Sequence, residues 1–249
     1  MRTHPNWLVA EPFTDVDLGV LKSGKEAQIN LIERTGDDGT TSLVALKRYL
    51  PRSVKQKGEL EAMGVQRAST FRNDSQYREG RQFRKSRDRR AVEQMSAHGK
   101  RLLQARWMGH EHDVMERLWH AGVQVPYPLS YSDNRFFLEY VGDIDGAAPQ
   151  LAMARLDRPE LQSAFDQLID GVAAMTAEGF AHADLSAFNL LWWDDLLWFI
   201  DFPQAIDLAA NPQGLDFLHR DLVNVCTWFG RRGIDADAER IFVDMLTFI

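Results

Sequence analysis

The feature that most constrains this chain is a pair of short apolar runs separated by two aspartates. The runs cover residues 190–193 and 196–200, with Asp194 and Asp195 between them. Each run is too short for an ordinary helix and is rich in large or branched side chains, so together they predict a buried β-hairpin. Because a hairpin folds back on itself, the residues that flank its open end are expected to lie close together.

Polar side chains stand at that open end. Asp184 and Asn189 come just before the first strand, and Asp201 directly follows the second. An amide oxygen and a carboxylate are hard donors of the kind that Mg²⁺ takes together with phosphate and water, so we expect Asn189 and Asp201 to hold Mg²⁺. Asp184 would accept a hydroxyl proton beside the metal. The pattern D-x-x-x-x-N with a later D-F is typical of phosphoryl-transfer sites.

The first 50 residues predict an irregular arm (residues 1–17) followed by three strands (residues 18–22, 27–33 and 42–50). The turn after the first strand contains Ser23, Gly24 and Lys25, where one glycine among small residues lets backbone N–H groups approach an anion. A plain hairpin turn with a solvated lysine is the alternative interpretation of this turn.

The third predicted strand carries a second candidate. Ala45 and Lys47 point to the same face of a strand, which places a charge beside a small residue that can floor a flat ligand. A lysine that is simply exposed at the end of a strand is the alternative.

The net charge of −7 is distributed unevenly. Residues 48–106 contain 16 Lys and Arg against 6 Asp and Glu, whereas the rest of the chain contains 13 and 30. Residues 51 to about 94 are polar and basic and have little apolar surface to bury, which predicts partial disorder or short helices. A basic stretch at residues 78–90 predicts an acidic partner or a phosphate chain such as RNA, and a solvated insertion without a partner is the alternative.

The remaining patterns predict mostly helices. Helical spacing covers residues 97–122, where Glu111 is expected to pair with a lysine elsewhere. Adjacent residues of a helix point about 100° apart, so His110, Glu111 and His112 cannot share one zinc ion. Two strands follow (residues 129–131 and 135–141), then a linker (residues 142–146) and three helices (residues 159–179, 213–231 and 236–248). Strands with one helix, a linker and then mainly helices form the two-lobed plan of a protein kinase.

Composition excludes several classes of protein. The one cysteine, Cys226, excludes an internal disulfide and fits a reducing cytosol, so we expect a cytoplasmic protein. The first 20 residues contain no apolar signal-peptide region, and the most apolar window is broken by Asp194 and Asp195. We therefore expect neither a signal peptide nor a membrane span.

Four motifs carry a resemblance to a known family. They are Ser-Gly-Lys-Glu-Ala at residues 23–27, Ala-Leu-Lys-Arg-Tyr at 45–49, His-Ala-Asp-Leu-Ser at 182–186 with Asn189, and Ile-Asp-Phe-Pro-Gln-Ala at 200–205. In these motifs the chain resembles the RIO-type atypical protein kinases, most closely the first RIO subfamily in a short, bacterial-style form. The Asp-Phe-Pro-Gln run is the most discriminating, since most kinases carry Gly after Asp-Phe.

The resemblance spans residues 18–231 and implies an α+β, two-lobed, protein-kinase-like fold. The N-lobe would be β-rich (residues 1–141, with the arm and a flexible basic insertion at about 51–96), and the C-lobe would be mainly helical (residues 142–249). The resemblance also implies that ATP binds with Mg²⁺. The implied site residues are Ser23, Gly24 and Lys25 over the phosphates, Lys47 on the α/β-phosphates and held by Glu111, the backbones of Glu139 and Val141 on adenine, Ala45 and Leu191 as its apolar walls, Asp184 as catalytic base, and Asn189 and Asp201 on Mg²⁺.

The implied activity is transfer of the γ-phosphate of ATP to Ser or Thr of an unknown protein or of the chain itself, or an ATPase switch through an aspartyl-phosphate at Asp201. Three other hypotheses remain. A small-molecule kinase of the aminoglycoside or choline type shares H-x-D-x-x-x-x-N but not the first and last motifs. A non-catalytic, ATP-gated module would dock RNA or an acidic protein. An iron oxygenase built on His182, Asp184 and His219 would leave Lys47 unexplained.

Overall fold

The structure is a computed structural model, and it describes residues 5–9, 11–24, 27–49, 86–94, 96–132 and 134–249. Lys25, which was predicted to cover phosphates, lies outside the described residues. So does most of the predicted basic insertion, residues 51–85.

Eleven strands and five helices are found in the described residues. In chain order they are β1 (Phe13–Ser23), β2 (Ala27–Gly36), β3 (Thr41–Tyr49), α1 (Ser86–Glu93), α2 (Ala97–His120), β4 (Pro128–Ser132), β5 (Arg135–Glu139), β6 (Gly142–Asp143), β7 (Gly146–Ala147), α3 (Arg158–Ala177), β8 (Phe180–Ala181), β9 (Leu190–Trp193), β10 (Leu196–Phe199), β11 (Ile206–Asp207), α4 (Gly214–Gly230) and α5 (Ala238–Met245).

The first lobe is built on an antiparallel sheet in the order β1-β2-β3-β5-β4. Alternation along β3 buries Val44 and Leu46 in a small core with Ile32. Ala45 and Lys47 therefore point to the opposite face, as predicted from the period of a strand. That face is the one turned toward the candidate site.

The prediction of an irregular arm up to residue 17 is wrong from Phe13 onward, because β1 begins there. Asp15 and Asp17 interrupt the apolar alternation by which a strand is recognised in a sequence, yet both have partners on β2. Arg34 donates two hydrogen bonds to Asp15, at 2.8 and 3.0 Å, and lies over the Phe13 ring, while Asn30 donates to Asp17 at 2.9 Å. Cross-strand charge pairing thus replaces the apolar alternation that normally marks a strand.

The central hairpin forms as predicted. Leu190 pairs with Phe199 and Trp193 with Leu196. The turn residues Asp194 and Asp195 have φ of 51° and 57°, the left-handed pair that a two-residue hairpin turn requires. The inner ends of β9 and β10 reach the core, where Leu190 and Phe199 are buried. This fixes the open end of the hairpin in space.

The second lobe surrounds the hairpin with helices. Helix α3 begins with a capping box between Asp157 and Glu160, and its Gly171 lies so close to the Phe199 ring that a Cβ there would meet it at 2.4 Å. Helix α4 contributes Cys226 to the core; burial, and secondarily Asp237, raises the pKa of its thiol to about 11. Within the described residues no helix has both the length and the apolar character needed to cross a membrane.

The predicted linker contains regular structure. Residues 142–147 form the two-residue ladder of β6 and β7, and Ala148 N donates to Val141 O at 2.9 Å. Helix α2, although it belongs to the predicted N-lobe, contributes Val114, Met115 and Leu118 to the same core as α3 and α4. The division at residues 141 and 142 remains a prediction.

Candidate active site

An ion-pair network joins three elements that are far apart in the sequence. Lys47 on β3 donates to Glu111 on α2 at 2.7 Å and to Asp201, just after β10, at 2.8 Å. The Glu111 side chain is 1% exposed and that of Asp201 is 46% exposed. One end of the network is therefore sealed in the protein and the other opens toward solvent. The structure brings these three predicted residues together.

The charges of the network stabilise one another. Burial alone would lower the pKa of Lys47, but the carboxylates of Glu111 and Asp201 hold that pKa well above its usual 10.5. Burial would likewise raise the pKa of Asp201, and the Lys47 ammonium overcomes this and lowers the pKa below 3.8. Lys47 is thus a fixed cation at neutral pH, and Asp201 a fixed anion.

Tyr49 completes the network and was not predicted as a site residue. Its hydroxyl donates to Oε2 of Glu111, while Lys47 occupies Oε1. Burial, followed by the charge of Glu111, raises the pKa of Tyr49, so the phenol stays protonated and able to donate. The signal in the sequence was its position two residues after Lys47, on the same face of a strand.

Residues 182–189, which we call the catalytic loop because they include the predicted base Asp184, place the other polar residues at the open end of the hairpin. Asn189 Nδ2 donates to Asp184 O at 2.8 Å and to Asp184 Oδ2 at 3.3 Å. Ile200 N donates to Asn189 O at 3.1 Å, which joins Asn189 to the residue that precedes Asp201. Burial, and to a lesser extent the charge of Asp201, raises the pKa of Asp184 above 3.8, which makes it a stronger proton acceptor than an ordinary aspartate.

The donor atoms fit Mg²⁺. Because Asn189 uses its Nδ2 toward Asp184, its amide oxygen remains available, and no described residue donates a hydrogen bond to that oxygen. Asp201 binds Lys47 through Oδ1, and its Oδ2 makes no hydrogen bond to a described residue. Two oxygen donors with room for phosphate and water match the preference of this ion.

Asp221 holds the catalytic loop and was missed by sequence reasoning. From α4, its carboxylate accepts hydrogen bonds from Ala183 N at 2.6 Å and from Leu185 N at 3.0 Å. These bonds fix the backbone on both sides of Asp184. The signal was a charged residue within the apolar stripe of a predicted helix, since such a residue is rarely buried without partners.

Two positions of the site have a left-handed backbone conformation, which is strained at the alanine and easily adopted by the aspartate. Ala183 has φ of 64° and Asp201 has φ of 72°, a region that L residues other than Asn and Asp seldom occupy. His182 supports both positions, because its Nε2 binds Ile200 O at 3.0 Å and its ring lies 4.7 Å from that of Phe202. Strain of this kind persists where the surrounding structure over-determines it.

The residues predicted to contact the nucleotide lie on several elements of the structure. Ala45 pairs with Leu138, and Leu191 pairs with Trp198 on the hairpin. Val141 O accepts from Ala148, and its N–H donates to no backbone carbonyl of the described residues. A cavity of about 420 Å³ touches Glu139 and Val141 but none of the other predicted site residues. The assignments of Ser23, Gly24, Ala45, Glu139, Val141 and Leu191 to ATP remain predictions.

Comparison with known proteins decides the family. A profile of the RIO domain matches residues 54–241, about three quarters of the chain. The chain belongs to the RIO family. The RIO chain is 36% identical over 135 residues to the RIO-type serine/threonine-protein kinase Rio1 of Thermoplasma acidophilum, covering 54% of this chain and 69% of the relative. It is 31% identical over 235 residues to Rio1 of Haloferax volcanii, covering 94% and 70%.

A human relative matches a smaller part of its own length. The serine/threonine-protein kinase RIO3 of Homo sapiens is 30% identical over 136 residues, which cover 54% of this chain and 26% of the relative. These matches confirm the predicted resemblance and the α+β, kinase-like fold of the RIO chain. Its first two motifs lie before residue 54, outside the stretch that the RIO profile matches.

The histidines of the RIO chain have separate partners. His219 binds Glu239 at 2.8 Å on the outside of α4, whereas His182 binds Ile200 O, so the two are not paired as an iron oxygenase requires. His110 binds Ala205 O at 2.7 Å, and His112 packs on Tyr131 at 5.1 Å. In the part of the chain that the structure describes, no group of three or more His, Cys, Asp or Glu side chains is arranged to hold a metal.

Proposed function

We propose that this RIO chain is a Mg-ATP-dependent protein kinase that transfers the γ-phosphoryl group to Ser or Thr of a protein, itself included. The observation that carries the proposal is the bridge from Glu111 through Lys47 to Asp201, next to the paired side chains of Asp184 and Asn189. Phosphoryl transfer requires positioning and charge stabilisation more than covalent chemistry, and this site supplies both.

Each residue has a role in the proposed reaction. Lys47, held as a cation by two carboxylates, would bind the α/β-phosphates. Asp184 would take the proton of the acceptor hydroxyl as its oxygen attacks the γ-phosphorus, and the bond to the β-phosphate oxygen would break. Asn189 and Asp201 would hold Mg²⁺, which when bound neutralises charge on the phosphates.

The test is incubation of the purified chain with Mg²⁺ and γ-labelled ATP. Lys47→Ala and Asp201→Asn are expected to lower the labelling of protein at least about 100-fold. Each substitution removes a fixed charge from the site that would hold the phosphates and Mg²⁺. Asp170→Asn, an exposed aspartate on the outside of α3, is the matched control and should label normally. Undiminished labelling in both site variants would refute the site assignment.

An ATPase switch is the second candidate, favoured by the half-exposed Asp201, one oxygen of which makes no hydrogen bond to a residue that the structure describes. A carboxylate oxygen would attack the γ-phosphorus, the bond to the β-phosphate oxygen would break and release ADP, and water would then hydrolyse the acyl phosphate to the carboxylate and phosphate. Treating the labelled chain with hydroxylamine separates the two functions. A labile label points to Asp201, whereas a label that resists hydroxylamine points to Ser or Thr.

The finer partner predictions belong to the proposal as well. An RNA or acidic protein partner at residues 78–90 rests on their charge. Binding should weaken as the salt concentration rises and when five basic residues are neutralised, namely Arg84, Lys85, Arg87, Arg89 and Arg90. A cytoplasmic location rests on the single cysteine. The small-molecule kinase and the non-catalytic module are not favoured, because the named relatives are protein kinases.

A further inference from the structure

Two large apolar side chains are exposed beside the catalytic loop. Phe188 is 58% exposed and Met153 is 71% exposed, and we call these two residues the apolar pad. A single exposed apolar residue needs no explanation, but neighbouring ones beside a reaction centre indicate a contact surface.

Phe188 lies in the same loop as the proposed catalytic base, Asp184. Ala183, Leu185 and Ala187 are buried, whereas Asp184 and Phe188 are exposed. Asn189, the next residue after Phe188, donates to Asp184 O at 2.8 Å, so Phe188 lies close to the proposed catalytic base. Asn189 is also one of the proposed metal ligands.

Hydrogen bonds place Met153 next to it. Ala152 N donates to Ala187 O at 2.9 Å, and the Gln150 side chain donates to Phe188 O at 2.5 Å. Met153 N closes the turn by donating to Gln150 O at 2.8 Å. The two backbones that carry the pad are therefore bound to each other, and a surface that is fixed in advance binds with a smaller loss of entropy.

The charge around the pad indicates which partner fits. Residues 142–249 contain 18 Asp and Glu, 6 Arg and no Lys. Asp143 at the end of β6 and Asp145 in the turn to β7 lie on either side of Ile144, which is 73% exposed. An acidic surface attracts a basic segment and repels an acidic one.

We propose that the apolar pad binds an apolar side chain of a basic, extended segment of the protein substrate, within a few residues of the Ser or Thr that accepts phosphate. This inference rests on the proposed kinase function and adds the class of substrate to it. The occupant follows from continuity with the site, because an acceptor hydroxyl at Asp184 brings its neighbouring residues across Phe188.

The test uses synthetic peptides in which one serine is flanked by arginines and glycines, with a leucine placed in turn at each of the four positions on either side. Wild-type chain is expected to prefer one or two leucine positions over the all-glycine peptide by about tenfold in kcat/KM, the usual worth of a modest apolar contact. Replacing the arginines with glutamates should abolish phosphorylation of the peptide.

Two variants identify the pad as the origin of this preference. Phe188→Ala should bring the leucine-to-glycine ratio close to one, and Phe188→Leu should restore most of it. Val243→Ala, which removes an exposed apolar side chain from α5, is the matched control and should keep the wild-type ratio. A wild-type chain without a leucine preference, or a Phe188→Ala variant that retains one, would overturn the proposal.

A binding measurement separates this inference from the kinase function. Anisotropy of the same peptides carrying a fluorophore reports binding without turnover. If the chain binds the leucine peptide more tightly than the glycine peptide but transfers no phosphate, the pad stands and the kinase function fails. If it phosphorylates all of the basic peptides equally, the kinase function stands and the pad fails.

Discussion

At the scale of single residues, the site depends on a carboxylate with both oxygens occupied. Glu111 receives Lys47 on one oxygen and Tyr49 on the other, and it is almost completely buried. Burying a charge is costly unless its partners are complete. Each of these hydrogen bonds therefore contributes both to stability and to the position of the lysine.

Tyr49→Phe should lower the free energy of unfolding by about 1–3 kcal/mol, because it leaves a buried carboxylate oxygen without a donor. Urea denaturation followed by circular dichroism measures the change. Tyr131→Phe is the control, since Tyr131 is 43% exposed and its hydroxyl makes no hydrogen bond to another described residue. Equal effects of the two variants would contradict the assigned role of Tyr49.

The raised pKa of Asp184 predicts the pH dependence of the reaction. A general base must be deprotonated, so the rate should fall as the pH falls through the pKa of this group. Because burial raises that pKa, the acid limb of the kcat profile is expected above pH 3.8. A kcat that stays constant down to pH 3.8 in a chain that remains folded would exclude Asp184 as the base.

At the scale of elements, helix α2 is tethered on two sides. Glu111 attaches it to β3, and the neighbouring His110 attaches it through Nε2–H to Ala205 O, in the segment after Asp201. The same turn of helix thus aligns the proposed phosphate-binding lysine and the loop of the proposed metal ligand. Moving the helix outward would break both attachments.

His110→Ala should loosen the segment after Asp201 by about 1 kcal/mol, the usual contribution of one such hydrogen bond. Hydrogen exchange of the Ala205 and Ile206 amides measures this, and His110→Gln should restore part of the protection because its amide can donate to the same carbonyl. His120→Ala, at the exposed end of α2, is the control. Unchanged exchange rates in His110→Ala would show that this hydrogen bond does not stabilise the segment after Asp201.

The anchor from α4 to the catalytic loop predicts a larger effect. Asp221→Asn keeps one acceptor oxygen and turns an amide N–H₂ toward the second backbone N–H, so we expect a loss of about 3 kcal/mol in stability, together with reduced phosphate transfer. Burial raises the pKa of Asp221, so the native chain binds its proton more tightly than the unfolded chain does.

The sign of its pH dependence follows. The contribution of Asp221 is most favourable below pH 3.8 and declines as the pH rises through the raised pKa of the folded state. The difference in stability between wild type and Asp221→Asn should therefore become smaller as the pH rises. A difference that does not change with pH would show that this carboxylate is not the group that titrates. Denaturation from pH 4 to pH 7 measures it.

Local patterns predicted most of the fold and the charged centre of the site. The hairpin around Asp194 was readable because both its strands and its turn follow short-range rules. Tyr49 and Asp221 were missed because their partners lie 62 and 36 to 38 residues away, and no local pattern encodes a hydrogen bond over that distance. The start of β1 at Phe13 was missed for a related reason, since its aspartates pair with side chains of other strands, Asp15 with Arg34 and Asp17 with Asn30 and Arg48.

At the scale of the whole molecule, one core connects the predicted lobes. Leu118 of α2 is buried in the same cluster as Leu168 of α3 and Leu222 of α4. A core that crosses the predicted boundary couples the two parts, so they are expected to unfold in a single transition.

Leu118→Ala should lower the free energy of unfolding of the whole chain by about 2–5 kcal/mol, and with it the midpoint of that transition. Three of the seven tryptophans, Trp192, Trp193 and Trp198, lie on the hairpin, so tryptophan fluorescence reports on it together with other parts of the chain, and far-ultraviolet circular dichroism reports on all the helices. The two signals should shift together. Separate midpoints would indicate that the lobes unfold independently.

The position of Cys226 has a practical consequence. This thiol is enclosed in the core and resists ionisation near neutral pH. A maleimide dye should therefore not react with it in the folded chain. Fluorophores can then be attached to a cysteine engineered at any surface position, without first removing the natural one. In a chain without an engineered cysteine, the slow rate of alkylation of this sulfur would measure how often the helical part opens.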